Sequence, residues 1–282
     1  MSSDTPSKLS RGEFLKLAAL APTAWLLRGW LRTLSPASLA GTQIGEQGSS
    51  QAGDTPEVVK RFDTQRPYYA LTIDDGWSQT ALEDSLDILD EQGLKADFFM
   101  IGAATMNAER FKPGLMKRLA EAGHGIGYHS MWHDYEQAQR ATLNEWIDDY
   151  RQWLQVHQET LGQELAARSL KKYARAPGGY FTYPFLSMCQ VEGLTPYGWS
   201  SDPSSFTRKV EIERGDILLL HVRYPDIEYI KNLGEYTDGD LTPTTLGCLR
   251  GEGGCPYAPY RGSWLFRSLE DLIAKLERLV MQ

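Results

Sequence analysis

Two stretches of the 282-residue sequence carry side chains whose types and spacing could do chemistry. In the first, Tyr69-Ala70-Leu71-Thr72-Ile73-Asp74-Asp75-Gly76, an apolar run ends on two adjacent carboxylates and a glycine. Such a run, bounded by a turn residue, reads as a buried strand, and like charges side by side at its end imply a cation or a catalytic use for them. The alternative is that Asp74 and Asp75 cap the following helix together with Ser78, which accounts for one acid but not for two. The second stretch, His129-Ser130-Met131-Trp132-His133, holds imidazoles four residues apart. On a helical turn that spacing puts both rings on one face, where they can bind one metal ion. Joined to a strand-end carboxylate, they form a two-histidine, one-carboxylate set that leaves coordination positions for water and substrate, the pattern of a catalytic metal.

The elements that must position these groups alternate. Residues 68–73 read as a strand, 79–92 as a helix and 96–101 as a second strand. A helix over 113–122 stops at Gly123, a strand follows at 125–128, and a long helix over 143–160 carries Leu143, Trp146, Ile147, Tyr150, Leu154 and His157 at helical spacing. His157 lies on that apolar stripe and reads as a core histidine. Later strands are expected at 173–175, 196–200 and 216–221, a loop-rich insertion at 223–262, and a closing amphipathic helix at 265–280. Several β/α units in one domain imply a parallel sheet, open or closed into a barrel, with chemistry at the carboxyl ends of the strands. The residues to compare there are Asp74, Asp75, His129, Arg175, Asp202 and His221.

Composition sets the outer bounds. With 41% hydrophobic residues the chain is that of a folded globular protein. The formal charge is -8, and the first forty residues hold five basic groups against two acidic ones. Setting that +3 aside leaves -11 for residues 41–282, which argues against nucleic acid as a partner. Residues 1–40 read as a targeting segment: Lys8 and Arg11 precede an apolar run from Leu17 to Leu27, and Ser38-Leu39-Ala40 offers a cleavage site. The run is too short to span a bilayer, an uncleaved membrane tether is a further reading, and a plain amphipathic helix is the alternative. Residues 41–65 read as a polar linker, and the folded domain is expected from Arg66 to the end. Cys248 and Cys255 flank a glycine-rich loop able to close a small disulfide, whereas Cys189 reads as a buried apolar residue. No paired spacing among the three suggests a zinc-cysteine site.

The motifs also carry a family resemblance. Thr72-Ile73-Asp74-Asp75-Gly76 resembles the Thr-Phe-Asp-Asp-Gly motif of the polysaccharide deacetylase family (NodB-homology, carbohydrate esterase 4). His129-Ser130-Met131-Trp132-His133 is similar to its His-Ser/Thr-x-x-His motif, Arg175-Ala176-Pro177-Gly178-Gly179 to its third, and Leu219-Leu220-His221 to its Leu-x-His. The fourth motif departs: where the family has Asp-x-x-Asp-Trp, the chain reads Asp202-Pro203-Ser204-Ser205-Phe206, so Ser205 replaces the acid that pairs with the catalytic histidine. Ser10-Arg11-Gly12-Glu13-Phe14-Leu15-Lys16 likewise resembles a twin-arginine export signal with Gly12 in place of one arginine.

The resemblance implies a distorted (β/α) barrel; with residues 1–40 read as an export signal, a single catalytic domain acting outside the cytoplasm is expected, and a monomer. It implies a divalent metal, zinc with cobalt or nickel as alternatives, bound by Asp75, His129 and His133. Asp74 would be the base, kept ionised by Arg175, and His221 the acid that protonates the leaving amine. The Gly178 N–H would hold the oxyanion, with Trp199 and Leu219 near the substrate and Asp202 or Ser205 in support. The implied activity is removal of N-acetyl groups from a chitin-like or peptidoglycan-like glycan. Two alternatives stay open: an O-acetyl esterase on xylan-type glycans, and a carbohydrate-binding homologue impaired by Ser205 and Phe206.

Overall fold

β1 (Tyr68–Asp75) is the strand against which the others are laid. It pairs in parallel with β2 (Asp97–Met100) on one side and β6 (Ile217–His221) on the other, and its first residues pair with β7 (Thr242–Thr244). The sheet continues through β3 (Gly125–Tyr128) and β4 (Leu170–Ala174) to the short β5 (Thr195–Pro196), in the order β5-β4-β3-β2-β1-β6. Downstream of β5, Ser201 bridges Leu218 of β6, which joins the two ends of that order. The result is the expected distorted barrel of parallel strands. This computed structural model of the protein describes residues 55–203, 211–236, 241–252 and 255. The expected targeting segment, most of the linker, Ser205, Phe206 and the expected helix at 265–280 lie outside the described residues.

Helices cover the outer face. α1 (Gln79–Glu91) starts at Ser78, whose side chain accepts the Ala81 N–H, so the cap is the serine and neither Asp74 nor Asp75. α2 (Gly102–Phe111) was not expected from the sequence; its alanines give a weak apolar period, and Ala103, Ala104 and Ala108 are buried. After α3 (Leu115–Glu121) and α4 (Tyr135–Arg140) comes α5 (Leu143–Leu161). Its start is fixed by a capping box between Thr142 and Glu145, and it buries Trp146, Tyr150, Trp153, His157 and Leu161 at helical spacing. That stripe packs on α2, α3 and α7 (Tyr183–Glu192). α6 (Gln163–Ser169) leads into β4.

Two expectations about the edges change. Residues 55–65 of the expected linker lie against the sheet: Val59 bridges Tyr197 and Arg61 bridges Asp216. The expected loop-rich insertion is partly regular, with α8 (Tyr224–Lys231), α9 (Leu233–Tyr236), β7 and α10 (Leu246–Arg250). Polar, loop-like sequence hid these short elements because tertiary pairing, and not periodicity, holds them. The Cys248–Cys255 disulfide is present, and Cys189 is free and buried.

His157 is a core residue, as its place on the stripe implied. It is fully buried, its Nδ1 lies 2.9 Å from the Trp153 carbonyl and its Nε2 2.9 Å from the Thr105 hydroxyl. Nδ1–H donates to the carbonyl, and Nε2 faces a hydroxyl that can serve as donor or acceptor. Burial pushes its pKa down to about 4, against the pull of the Trp153 carbonyl. A depressed histidine makes the unfolded state the better proton binder between the two pKa values. Stability is thus full above about pH 6.5 and falls towards pH 4, with His157 contributing roughly 3 kcal/mol. Urea unfolding of wild type and His157→Gln across pH 4.5–7.5 checks this: the variant loses part of the slope.

Candidate active site

Strand parity decides which side chains meet. Along β1, Tyr69, Leu71 and Ile73 face the helices, whereas Ala70 joins an inner cluster with Phe99, Tyr173, Tyr197 and Ile217. Thr72 and Asp74 share the parity of Ala70, Arg175 that of Tyr173, and Leu219 and His221 that of Ile217. The barrel interior thus ends, at the carboxyl edge, in Asp74, Arg175 and His221, with His129 one residue beyond the outward Tyr128 of β3.

Arg175 is the best-bonded of these groups. It is wholly buried, donating Nη1 to Asp74 Oδ1 at 2.7 Å and to Thr72 Oγ1 at 2.9 Å, Nη2 to the Gly198 carbonyl at 2.9 Å and Nε to the Tyr197 carbonyl at 3.2 Å. Its guanidinium also lies 4.2 Å from the Phe99 ring centre. Burial lowers its pKa against the opposing pull of Asp74. Thr72 in turn donates to the Leu218 carbonyl at 2.6 Å, which explains a hydroxyl on a buried strand.

Asp75 goes the other way. Its φ of 82° is left-handed, and it is followed by Gly76 at 96°, where a Cβ would overlap the Met100 side chain. This turn takes Asp75 off the strand alternation and towards the histidines. His133 Nε2 lies 3.3 Å and His129 Nε2 3.5 Å from Asp75 Oδ1, and His129 Nε2 lies 3.6 Å from Asp74 Oδ2. The two histidines do not sit on a helix, contrary to expectation. They flank an irregular turn in which Ser130 and His133 take φ of 62° and 54°, and the rings come to 4.9 Å between centres. Asp75, Ser130 and His133 are the non-glycine residues with positive φ among the described residues, so the backbone strain is concentrated at this one place.

The donor set fits a metal ion. Asp75, His129 and His133 each offer a ligand atom, all within 4.8 Å of one another. Asp75 Oδ1 is buried without a hydrogen-bond donor, an expensive state that a cation would relieve. Electrostatics agree. Burial would raise the Asp75 pKa, yet the imidazoles of His129, His133 and His221 hold it down at about 2. Burial would lower His129, but Asp74 and Asp75 raise it, while His133 is lowered by burial and by repulsion from His129. The cluster calls for one positive charge between its members. His129 Nδ1 lies 2.9 Å from the Arg175 carbonyl, which orients the ring with Nε2 inward.

On the opposite side, His221 ends β6, and its Nδ1 lies 3.3 Å from Asp226 Oδ2. Burial lowers its pKa, and the bond to Asp226, with the charges of Asp74 and Asp75, more than reverses this, leaving it raised. Gly178, at φ 60°, forms a tight 3-10 turn with Pro177 and Gly179; a Cβ on it would meet the rings of Tyr135 and Tyr180. Trp199 lines the next glycine, Gly179, and Leu219 lies buried two residues before His221. Asp202 follows Ser201 at the β6 bridge.

Comparison with known proteins bears on the same residues. The polysaccharide deacetylase family model matches residues 61–195, which include Asp74, Asp75, His129, His133 and Arg175. A chitooligosaccharide deacetylase of Bradyrhizobium sp. (strain ANU 289) is 31% identical over 195 residues, 64% of this chain and 81% of the relative. The chain belongs to the polysaccharide deacetylase family. A peptidoglycan-N-acetylglucosamine deacetylase of Bacillus cereus is 34% identical over 133 residues, 47% of this chain and 44% of its own. Among solved structures, a family 4 carbohydrate esterase from Bacillus anthracis superposes with a TM-score of 0.54 at 25% identity, covering 69% of this chain and 87% of that one. Membership makes the chain a hydrolase of acetylated glycans.

Two acids of this deacetylase escaped sequence reasoning. One is Asp226, in the first turn of α8, whose distance in sequence from the fourth motif gave no signal. The other is Asp149, buried on α5, which accepts from the Tyr128 hydroxyl at 2.5 Å, the Met131 N–H at 2.7 Å and the Gln137 amide at 3.1 Å. An acid on an apolar helical stripe was the available clue. Asp149 fixes the turn between the histidines, so Asp149→Asn is expected to weaken divalent-metal affinity by about 10- to 100-fold while the helix content is kept. Calorimetric titration of the metal-stripped protein measures it.

Proposed function

We propose that this deacetylase hydrolyses N-acetyl groups on a chitin-like or peptidoglycan-like glycan, with Asp74 as base and His221 as acid. The observation that carries the reading is the division of two adjacent carboxylates at one strand end: Asp74 to Arg175, Asp75 to the paired imidazoles. Asp75, His129 and His133 would hold a divalent ion, zinc being favoured by two imidazoles and a carboxylate, with cobalt or nickel as substitutes. When bound, that ion supplies Lewis acidity towards the acetyl oxygen and lowers the pKa of water at its open position.

The residues do the rest. Arg175 holds Asp74 Oδ1 at 2.7 Å, leaving Oδ2, 3.6 Å from His129 Nε2, on the side of the histidines. Asp74 takes one proton from the attacking water as its oxygen bonds to the acetyl carbon. His221 gives a proton to the amide nitrogen as the C–N bond breaks, releasing acetate and the free amine. The two side chains then regain their starting protonation by exchange with water. The Gly178 N–H supports the developing oxyanion, and Trp199 and Leu219 line the acetyl side. The relatives named as chitooligosaccharide and peptidoglycan deacetylases support a β-linked N-acetylglucosamine substrate. Export through the amino-terminal segment, which would bring the enzyme to such a glycan, belongs to the same proposal.

Acetate released from N-acetylglucosamine oligomers, peptidoglycan and acetylated xylan by the metal-loaded protein tests the substrate. Release from the first two and not the third is expected. Asp74→Asn should lower kcat by at least about 100-fold with the metal still bound, and His133→Ala should lose both metal and turnover. Full activity of Asp74→Asn on every accepted substrate would overturn its role.

A further inference from the structure

We infer that Asp226 is the positioning carboxylate of His221, standing in for the second acid of the fourth motif, which Ser205 replaces. This rests on the reading of His221 as the proton donor. The geometry is local. Three donors converge on Asp226 Oδ2: the His221 backbone N–H at 2.6 Å, Arg223 Nε at 3.0 Å and His221 Nδ1 at 3.3 Å. Asp226 is 3% exposed, in the first turn of α8, and its own N–H donates to the Arg223 carbonyl.

A buried carboxylate that accepts from Nδ1 does two things to an imidazole. It fixes the ring about its two side-chain torsions, and it selects the neutral tautomer with hydrogen on Nδ1. Nε2 is then the atom that gains and delivers the proton. Because the same oxygen also accepts the His221 N–H, ring and backbone are tied to one point, and the end of β6 cannot move without the acid. Arg223 limits the negative charge at that oxygen, so Asp226 steers the ring without neutralising it outright. The supporting acid therefore lies five residues after the histidine it serves, beyond residues 61–195, where the family model ends.

A carboxylate with this placement could instead be only a brace for the turn from β6 into α8, and leaving-group dependence separates the two roles. An amide needs its nitrogen protonated to depart, whereas an aryl acetate does not. Asp226→Asn, which keeps an oxygen for the backbone N–H, is expected to lower kcat on an N-acetylglucosamine oligomer by about 100-fold, with KM within about twofold and metal content unchanged. Its kcat on 4-nitrophenyl acetate should stay within about threefold. In a His221→Ala background the same substitution should cost nothing further on the amide. Ser205→Ala and Asp202→Asn should leave the ratio of the two activities as in wild type.

Equal losses on both substrates, or a selective amide loss from Ser205→Ala or Asp202→Asn, would overturn the inference. If His221→Ala itself kept full amide turnover, the reading of His221 would fail, a result distinct from failure of Asp226 alone. One measurement needs no foldable variant: in wild type, nitrogen-15 shifts of neutral His221 should show hydrogen on Nδ1, and hydrogen on Nε2 would equally overturn it.

Discussion

A full positive charge sits inside the barrel, and the site is arranged around the need to satisfy it. Arg175 is wholly out of water, where an unpaired ion would cost several kcal/mol. Its donors are used by a carboxylate and a hydroxyl of β1 and by the two successive carbonyls that follow β5, so the ends of β1, β4 and β5 are tied together. Removing one partner of such a pair typically costs about 3–5 kcal/mol because the other charge remains buried. The carbonyl of Arg175 also orients His129, so one residue fixes Asp74 through its side chain and His129 through its backbone.

That constraint explains why adjacent acids are tolerated at the end of β1. Asp74 keeps the strand alternation and turns inward to Arg175, while Asp75 leaves it through a left-handed φ of 82°. Two repelling neighbours are thereby aimed at two different positive partners, one permanent and one acquired. The strained backbone at Asp75, Ser130 and His133 lowers the stability of the metal-free loop, and a bound ion would return part of that energy as folding free energy.

Much of this was legible in the sequence because the strands are apolar runs that end on chemistry. Asp74, Asp75 and His221 follow such runs, and the alternation of side chains along a strand accounts for Asp74 and His221. The turn between the histidines was less legible. Spacing of four suggested a helical face, yet the rings meet through left-handed residues, a conformation that no propensity for serine or histidine announces. α2 was hidden by alanine-rich, weakly periodic sequence, and β7 and α10 are held by pairing with β1 and by the Asp97 carboxylate accepting the Leu246 N–H. Such long-range bonds leave no local trace.

The two halves of the reaction are held by different parts of the chain, which accounts for where the sequence pattern weakens. In the proposed reaction, water attack would draw on β1, β3 and β4, whose ends are locked together by Arg175, so a change at any one of them disturbs the rest. Departure of the amine would draw on β6 and the first turn of α8, where His221 and Asp226 are close in sequence and bonded to each other. A local pair needs no distant strand to complete it. The acid of the fourth motif, by contrast, must reach His221 from a separate segment, whereas Asp226 reaches it from the next turn of the chain. Ser205 is therefore compatible with an intact proton donor, and the departure from the family pattern at that position does not by itself argue for a silent site.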